Sequence, residues 1–346
     1  MRKSYLSSSK KYDYIVVGQG LAGTLLVHDL LEKDKSVLII DSILDASASR
    51  VAAGLINPIS VRRCIPAFSE EYIEKAFKTY LQLEKKLNTN FLHVRSLIKI
   101  FRNPEIQNLW KDKFTNFGMD LYIKGFNNEN SFNFLNDDYQ SANVEPSGNL
   151  NVSKFLDVSK RYFLKTCDFV DDVFSFSEFN DEKISYKNYK SEKIIFCEGY
   201  RIKENPFFKY LPISPTKGEI MTIKIPSIEF FDKIFSKGVY IIPLGNFLYR
   251  VGATFNRVDL SDRVTKDGKQ FLIERLEGII NVDYEIVEIS AGVRPTVKDY
   301  KPLIGWHPKN KNIGVFNGLG ARGVLAGPFL SYAFVNSSFE TISRFN

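Results

Sequence analysis

Residues Tyr14 to His28 read YIVVGQGLAGTLLVH. Apolar residues run into Gly18, Gly20 and Gly23 follow at GxGxxG spacing, and a second apolar run begins. Each glycine has a task in such a turn. Gly18 permits the tight passage from strand to helix, Gly20 lets the backbone approach a pyrophosphate, and Gly23 lets helix and strand pack closely. The helix that follows, with Leu21 and Ala22 in its first turn, presents unpaired N–H groups and a partial positive charge to an anion. The pattern predicts a strand over Tyr12–Val17, a helix over Leu21–Glu32 and a second buried strand over Ser36–Ile40. This βαβ unit implies a parallel sheet with a right-handed crossover. Asp41, followed by Ser42, ends the second strand, where a carboxylate can accept hydrogen bonds from ribose hydroxyls. A dinucleotide is therefore expected, and both NAD and FAD fit this fingerprint.

Composition narrows the field without choosing. The chain has 346 residues, enough for two lobes, with 44% hydrophobic and 25% charged residues. No run of apolar residues is long enough to cross a membrane, and the leader MRKSYLSSSKK holds no apolar stretch of signal-peptide length. A cytoplasmic location is the expectation. Three scattered cysteines (Cys64, Cys167, Cys197) and three scattered histidines argue against a disulfide scaffold and offer no metal-ligand cluster. The net charge of +7 comes without a block of basic residues. It reads as lysine-rich composition, with a polyanionic partner such as RNA as the alternative.

Helices are expected over Ser69–Leu87, Asn103–Phe117, Val152–Leu164, about 266–280 and from about 322 onward. Strands are expected at 168–175, 184–189, 193–197, over most of 217–254, at 284–291 and over Ile313–Phe316, with loop from Phe126 to Leu135. The βαβ character lies at both ends of the chain, and antiparallel-looking strands lie between. The expected fold is α/β: a Rossmann-like lobe assembled from 11–88, 145–205 and 292–346, interleaved with an α+β lobe on a largely antiparallel sheet from 89–144 and 206–291.

Distant segments bear on the choice of cofactor. Asp45–Pro58, DASASRVAAGLINP, is rich in small residues that let backbone amides approach a ligand; Arg50, Ala52, Ala53, Gly54 and Leu55 are its candidate contacts. Val315–Pro328, VFNGLGARGVLAGP, places Gly318, Gly320 and Gly323 at a second GxGxxG spacing too near the end of the chain for another βαβ unit. It can still form a strand–glycine–helix junction aimed at an anion, with Ala321, Arg322 and Val324 as further contacts. A reduced flavin, which carries negative charge over N1 and the C2 carbonyl, suits such a helix end.

Five features occur in order: the amino-terminal fingerprint, SRVAAGLI, YIIP (Tyr240–Pro243) with GAT (Gly252–Thr254), GVRP (Gly292–Pro295) and the last glycine junction. Together they resemble the D-amino acid oxidase, glycine oxidase and sarcosine oxidase superfamily of FAD-dependent enzymes, over roughly residues 12 to 335. The resemblance implies an adenine-side strand at Cys167–Val173, with Val173 in contact, and a flavin-side turn at Phe196–Tyr200, with Gly199 in contact. Glu198 departs from the small residue usual in that turn. No cysteine follows Cys197, so the cysteine tether of some relatives is excluded and non-covalent FAD is expected. The resemblance also implies Arg294 as the anchor for a substrate carboxylate and Tyr240 as its helper; the competing readings are a structural ion pair, for instance to Asp299, and a packing aromatic. The implied reaction oxidises the C–N bond of a small amine or amino acid by hydride transfer to flavin N5, with hydrolysis of the imine. The ending GLGARGVLAGP and AGVRPTVKDYKPLIG (Ala291–Gly305) also look like the oxidase half of the bifunctional enzyme that modifies wobble uridine in tRNA, which keeps tRNA as an alternative substrate. An NAD-dependent dehydrogenase is the remaining alternative. No oligomeric state is implied.

Overall fold

The computed structural model describes residues 10–42, 47–61, 63–227 and 231–336. Asp45, Ala46 and most of the basic leader lie outside them.

The amino-terminal strand Lys11–Val17 is central to an eight-stranded sheet. On one side it pairs in parallel with Val37–Asp41, which pairs with Asp168–Asp171. On the other it pairs in parallel with Tyr189–Phe196, which pairs with Ile313–Asn317. Strands buried on both faces read as continuous apolar runs. VLIID does so, and Leu38, Ile39 and Ile40 are fully buried. The helix Leu21–Leu31 covers one face and packs against the closing helix Gly323–Asn336. Small residues allow that approach: a Cβ on Gly327 would fall 2.7 Å from Leu25 Cδ1, and one on Gly323 would fall 3.2 Å from Leu21 Cδ2. The two glycine junctions, from opposite ends of the chain, thus meet.

A second eight-stranded sheet runs in the order Glu285–Arg294, Thr216–Lys224, Leu248–Gly252, Tyr240–Gly245, Ile234–Ser236, Leu97–Ile100, Ser141–Val144, Ile123–Asn127. Its neighbours are antiparallel except Ile234–Ser236 with Leu97–Ile100. The short helix Ala48–Val51 ties the halves together. It packs on the strand Glu285–Arg294, with Ala48 Cα 3.2 Å from where a Cβ of Gly292 would lie.

This is the α/β architecture expected, with a Rossmann-like part and a largely antiparallel partner. Several expected elements differ. The run 168–175 is strand only to Asp171. The run 184–189 is a hairpin, Ser185–Tyr186 turning into Tyr189–Phe196. Phe126 and Asn127 close a strand rather than open the loop, because Phe126 packs on Phe101 and Phe114. The strand near 284–291 continues to Arg294, since Thr216 and Lys217 supply partners for its last residues. Among the described residues no helix is long and apolar enough to cross a membrane.

Candidate functional site

A single cleft of about 810 Å³ is lined by residues from both sheets. At one end lie the carboxyl ends of the parallel strands, the position where open α/β sheets take ligands. Gly18 there has φ +100°, and a Cβ on it would fall 2.6 Å from Cys197 O. The neighbouring parallel strand Tyr189–Phe196, which leads into Cys197, therefore presses on the glycine turn, and only a residue without a side chain fits. Gly20 caps the helix with no side-chain hydrogen bond to its first turn. The amide of Leu21 instead donates to Ser49 Oγ at 3.0 Å, so the short helix Ala48–Val51 crosses in front of the helix end. The four orphan amides of a helix start make an anion site. Asp41 sits at the end of its strand, where burial raises its pKa and a hydrogen bond from the Gln19 backbone opposes the rise. A narrow turn, a helix end with free donors, and a carboxylate one strand away fit a dinucleotide in this cleft.

The structure brings most of the expected contacts to the cleft wall: Gly18, Gly20, Leu21, Ala22, Asp41, Ser42, Arg50, Ala52, Ala53, Gly54, Leu55, Val173, Gly199, Gly320, Ala321, Gly323, Val324, Tyr240 and Arg294. Three expected contacts lie elsewhere. Gly23 faces inward, where a Cβ would overlap Gly18 O, so it serves the close packing of helix on strand. Gly318, at φ +73°, has Val297 Cγ2 2.8 Å from its Cβ position and belongs to the turn itself. Arg322, the last residue of the turn Gly320–Arg322, is not part of the cleft wall; its guanidinium lies 5.9 Å from the ring centre of Phe68, and burial lowers its pKa while nearby Tyr240 opposes that. Arg50 lines the cleft with its charge already paired to Asp157 at 2.8 Å.

Glu198 also lines the cleft, beside Gly18. Burial pushes its pKa from 4.5 to about 7, against the hydrogen bond that Asn205 Nδ2 donates at 2.7 Å; Glu204 adds to the rise and Arg201 opposes it. The residue had drawn notice in the sequence as a departure, but nothing local announced its burial.

The other end of the cleft belongs to the antiparallel sheet. Arg294 is the last residue of its strand and reaches across to the neighbouring one. Its guanidinium is mostly buried, and burial lowers its pKa. Among the described residues no carboxylate pairs with it, and its one hydrogen bond is a long 3.4 Å contact from Nη1 to Thr254 O. A buried cation without a counterion costs several kcal/mol unless something compensates it. Tyr240, in the same cleft, accepts at its hydroxyl from Asn57 Nδ2 at 3.4 Å, and burial raises its pKa. Gly218, Gly252, Thr254 and Ser49 line the cleft as well; Gly252 and Thr254 belong to the GAT motif and Ser49 to SRVAAGLI, whereas nothing in the sequence singled out Gly218.

Residues 13–336 match the family model described as FAD dependent oxidoreductase. The match resolves the choice that the amino-terminal fingerprint leaves open, in favour of FAD over NAD. A glycine oxidase from Geobacillus kaustophilus is 30% identical over 122 residues, a stretch that spans 34% of this chain and 32% of that relative. The crystal structure of glycine oxidase from Geobacillus kaustophilus superposes with a TM-score of 0.80 at 18% identity, covering 97% of this chain and 98% of the other. That of iminodiacetate oxidase from Chelativorans sp. BNC1 superposes with a TM-score of 0.78 at 18% identity, covering 96% and 98%.

Proposed function

The chain belongs to the FAD-dependent oxidoreductase family, and from that premise we propose that it oxidises the C–N bond of an amino acid or N-substituted glycine whose carboxylate is held by Arg294. The observation that carries the reading is the buried guanidinium at the sheet end of the cleft, which has no counterion among the described residues. A substrate carboxylate supplies the missing charge, and a guanidinium fork suits it in a bidentate pair. Glycine and iminodiacetate, the compounds named for two similar proteins, both carry a carboxylate on the carbon beside nitrogen.

FAD, when bound, would supply the hydride acceptor, and the imine left on the substrate would be hydrolysed by water. The protein's share is placement. Gly18, Gly20 and the first-turn amide of Ala22 would receive the pyrophosphate, with the Leu21 amide held by Ser49 beside them, while Asp41 and Ser42 would take the adenosine ribose and Val173 the adenine. Ala52–Leu55, Gly199, Gly320, Ala321, Gly323 and Val324 would enclose the flavin. Arg294 fixes the substrate by its carboxylate, and Tyr240 adds a hydrogen bond. This division of labour calls for no nucleophile or general-base pair, and none need be sought among the scattered histidines and cysteines.

Replacing Arg294 with Ala tests the reading. We expect the KM for an amino-acid substrate to rise about a hundredfold, the order of a lost charged pair, while the Kd for FAD stays within about twofold. Equal damage to both would mark Arg294 as structural and overturn the assignment.

A further inference from the structure

Arg294 does not lie free in the cleft: it rests on a neighbour. In the sheet register Thr216 faces Arg294, Lys217 faces Val293, and Gly218 faces Gly292. The arginine side chain crosses diagonally to Gly218, where a Cβ would overlap Nη2, Cζ and Nη1 together. The guanidinium thus occupies the volume that any other residue at 218 would fill. Gly218 has ordinary strand geometry, so the glycine is required here for space and not for backbone conformation.

The strand cannot yield at this point. Side chains alternate across a strand, so Lys217 and Glu219 face the side opposite Gly218. Both are almost fully buried. Lys217 Nζ donates to Asp259, to Ser261 Oγ at 3.3 Å and to Arg263 O. Glu219 Oε1 accepts from Thr265 N at 2.8 Å and from Thr265 Oγ1 at 2.9 Å. Thr254 Oγ1, in turn, accepts from the Glu219 amide at 2.8 Å, and Thr254 O is the acceptor for Arg294. A locked strand on one side and the mobile end of an arginine on the other decide which moves when a methyl is added.

We propose that Gly218 is the positioning residue for substrate: its bare Cα is the seat that holds the Arg294 guanidinium where a carboxylate can meet it. The proposal rests on the reading of Arg294 as carboxylate anchor and adds that the anchor works only over a glycine. Because the obstructed atoms are the far end of a flexible side chain, a methyl at 218 displaces the guanidinium and leaves the fold and the FAD segments in place.

The test is a mutant cycle on FAD-loaded protein, read by titrating flavin absorbance with acetate and with its uncharged isostere acetamide. Gly218→Ala is expected to weaken acetate by about tenfold to a hundredfold, the equivalent of one charge-assisted hydrogen-bonded pair, with acetamide and the FAD Kd unchanged within about twofold. Arg294→Ala is expected to erase the preference for acetate, and adding Gly218→Ala to it is expected to change nothing more. If Arg294→Ala keeps the preference, the anchor reading itself falls. If Arg294→Ala loses it and Gly218→Ala keeps it, only the role of Gly218 falls. Should Gly218→Ala alone fail to load flavin, the double variant decides: recovery of flavin loading and melting temperature on removing the arginine side chain supports the contact, and failure to recover overturns it.

Discussion

Glycine is used differently at the two ends of the cleft. At the cofactor end, the atoms that exclude a side chain are backbone: Cys197 O at Gly18 and Gly18 O at Gly23. At the substrate end the excluding atoms at Gly218 are the tip of an arginine. Backbone carbonyls within a parallel sheet cannot retreat without breaking strand pairing, whereas a guanidinium can swing aside. The first set of glycines therefore holds the fold together, and the second holds a functional group in place. The same substitution should break the protein at one end and only disarm it at the other.

The largest effect is expected at Gly23. A methyl there drives the helix Leu21–Leu31 off its strand, at a cost above the ~1–3 kcal/mol of ordinary core overpacking. Gly23→Ala should yield protein that melts far earlier and retains no FAD, measured by thermal denaturation and by flavin absorbance after gel filtration. Normal melting with normal FAD content would remove the contrast between the ends.

A smaller effect is expected at Glu198, and it sharpens the contrast because it reports the burial of the cofactor end. Burial lifts this carboxyl from 4.5 to about 7. The unfolded chain releases that proton first, so the fold loses stability as pH rises from about 4.5 to about 7, and the loss is complete above that. Glu198→Gln removes the burden. It should raise stability by ~1–3 kcal/mol at pH 8, after allowance for water in the cleft, and leave it nearly unchanged at pH 4. Urea unfolding at the two pH values checks this, and a gain that is the same at both would mean that the side chain is not desolvated.

The two ends also differ in how far they can be read from sequence. The turn at Gly18–Gly23 imposes its demands on the backbone at fixed local spacing, between a strand and a helix, so its residues announce themselves. Asp41 does so for the same reason. Gly218 looks like any isolated glycine in a strand, and its importance depends on register with a strand far along the chain. The short strands Leu97–Ile100 and Ser141–Val144 were missed because four-residue runs carry little periodicity, although each is paired on both sides in the sheet. Arg322 was expected to add charge at the glycine junction; the structure sets it beside Tyr240 and Phe68, a placement decided by a single turn of 3₁₀ helix. Ser49 reaches the helix end at Leu21 only through tertiary packing of the short helix Ala48–Val51.

The claim on which the rest depends is that one cleft holds FAD along its length and reserves the Arg294 end for a carboxylate. Anaerobic mixing of FAD-loaded protein with matched pairs of amines, glycine against methylamine and sarcosine against dimethylamine, tests it most directly. The account predicts bleaching of the flavin absorbance by carboxylate-bearing members and none by their decarboxylated partners at the same concentration. Equal bleaching within each pair, or bleaching only when tRNA is supplied, would contradict it.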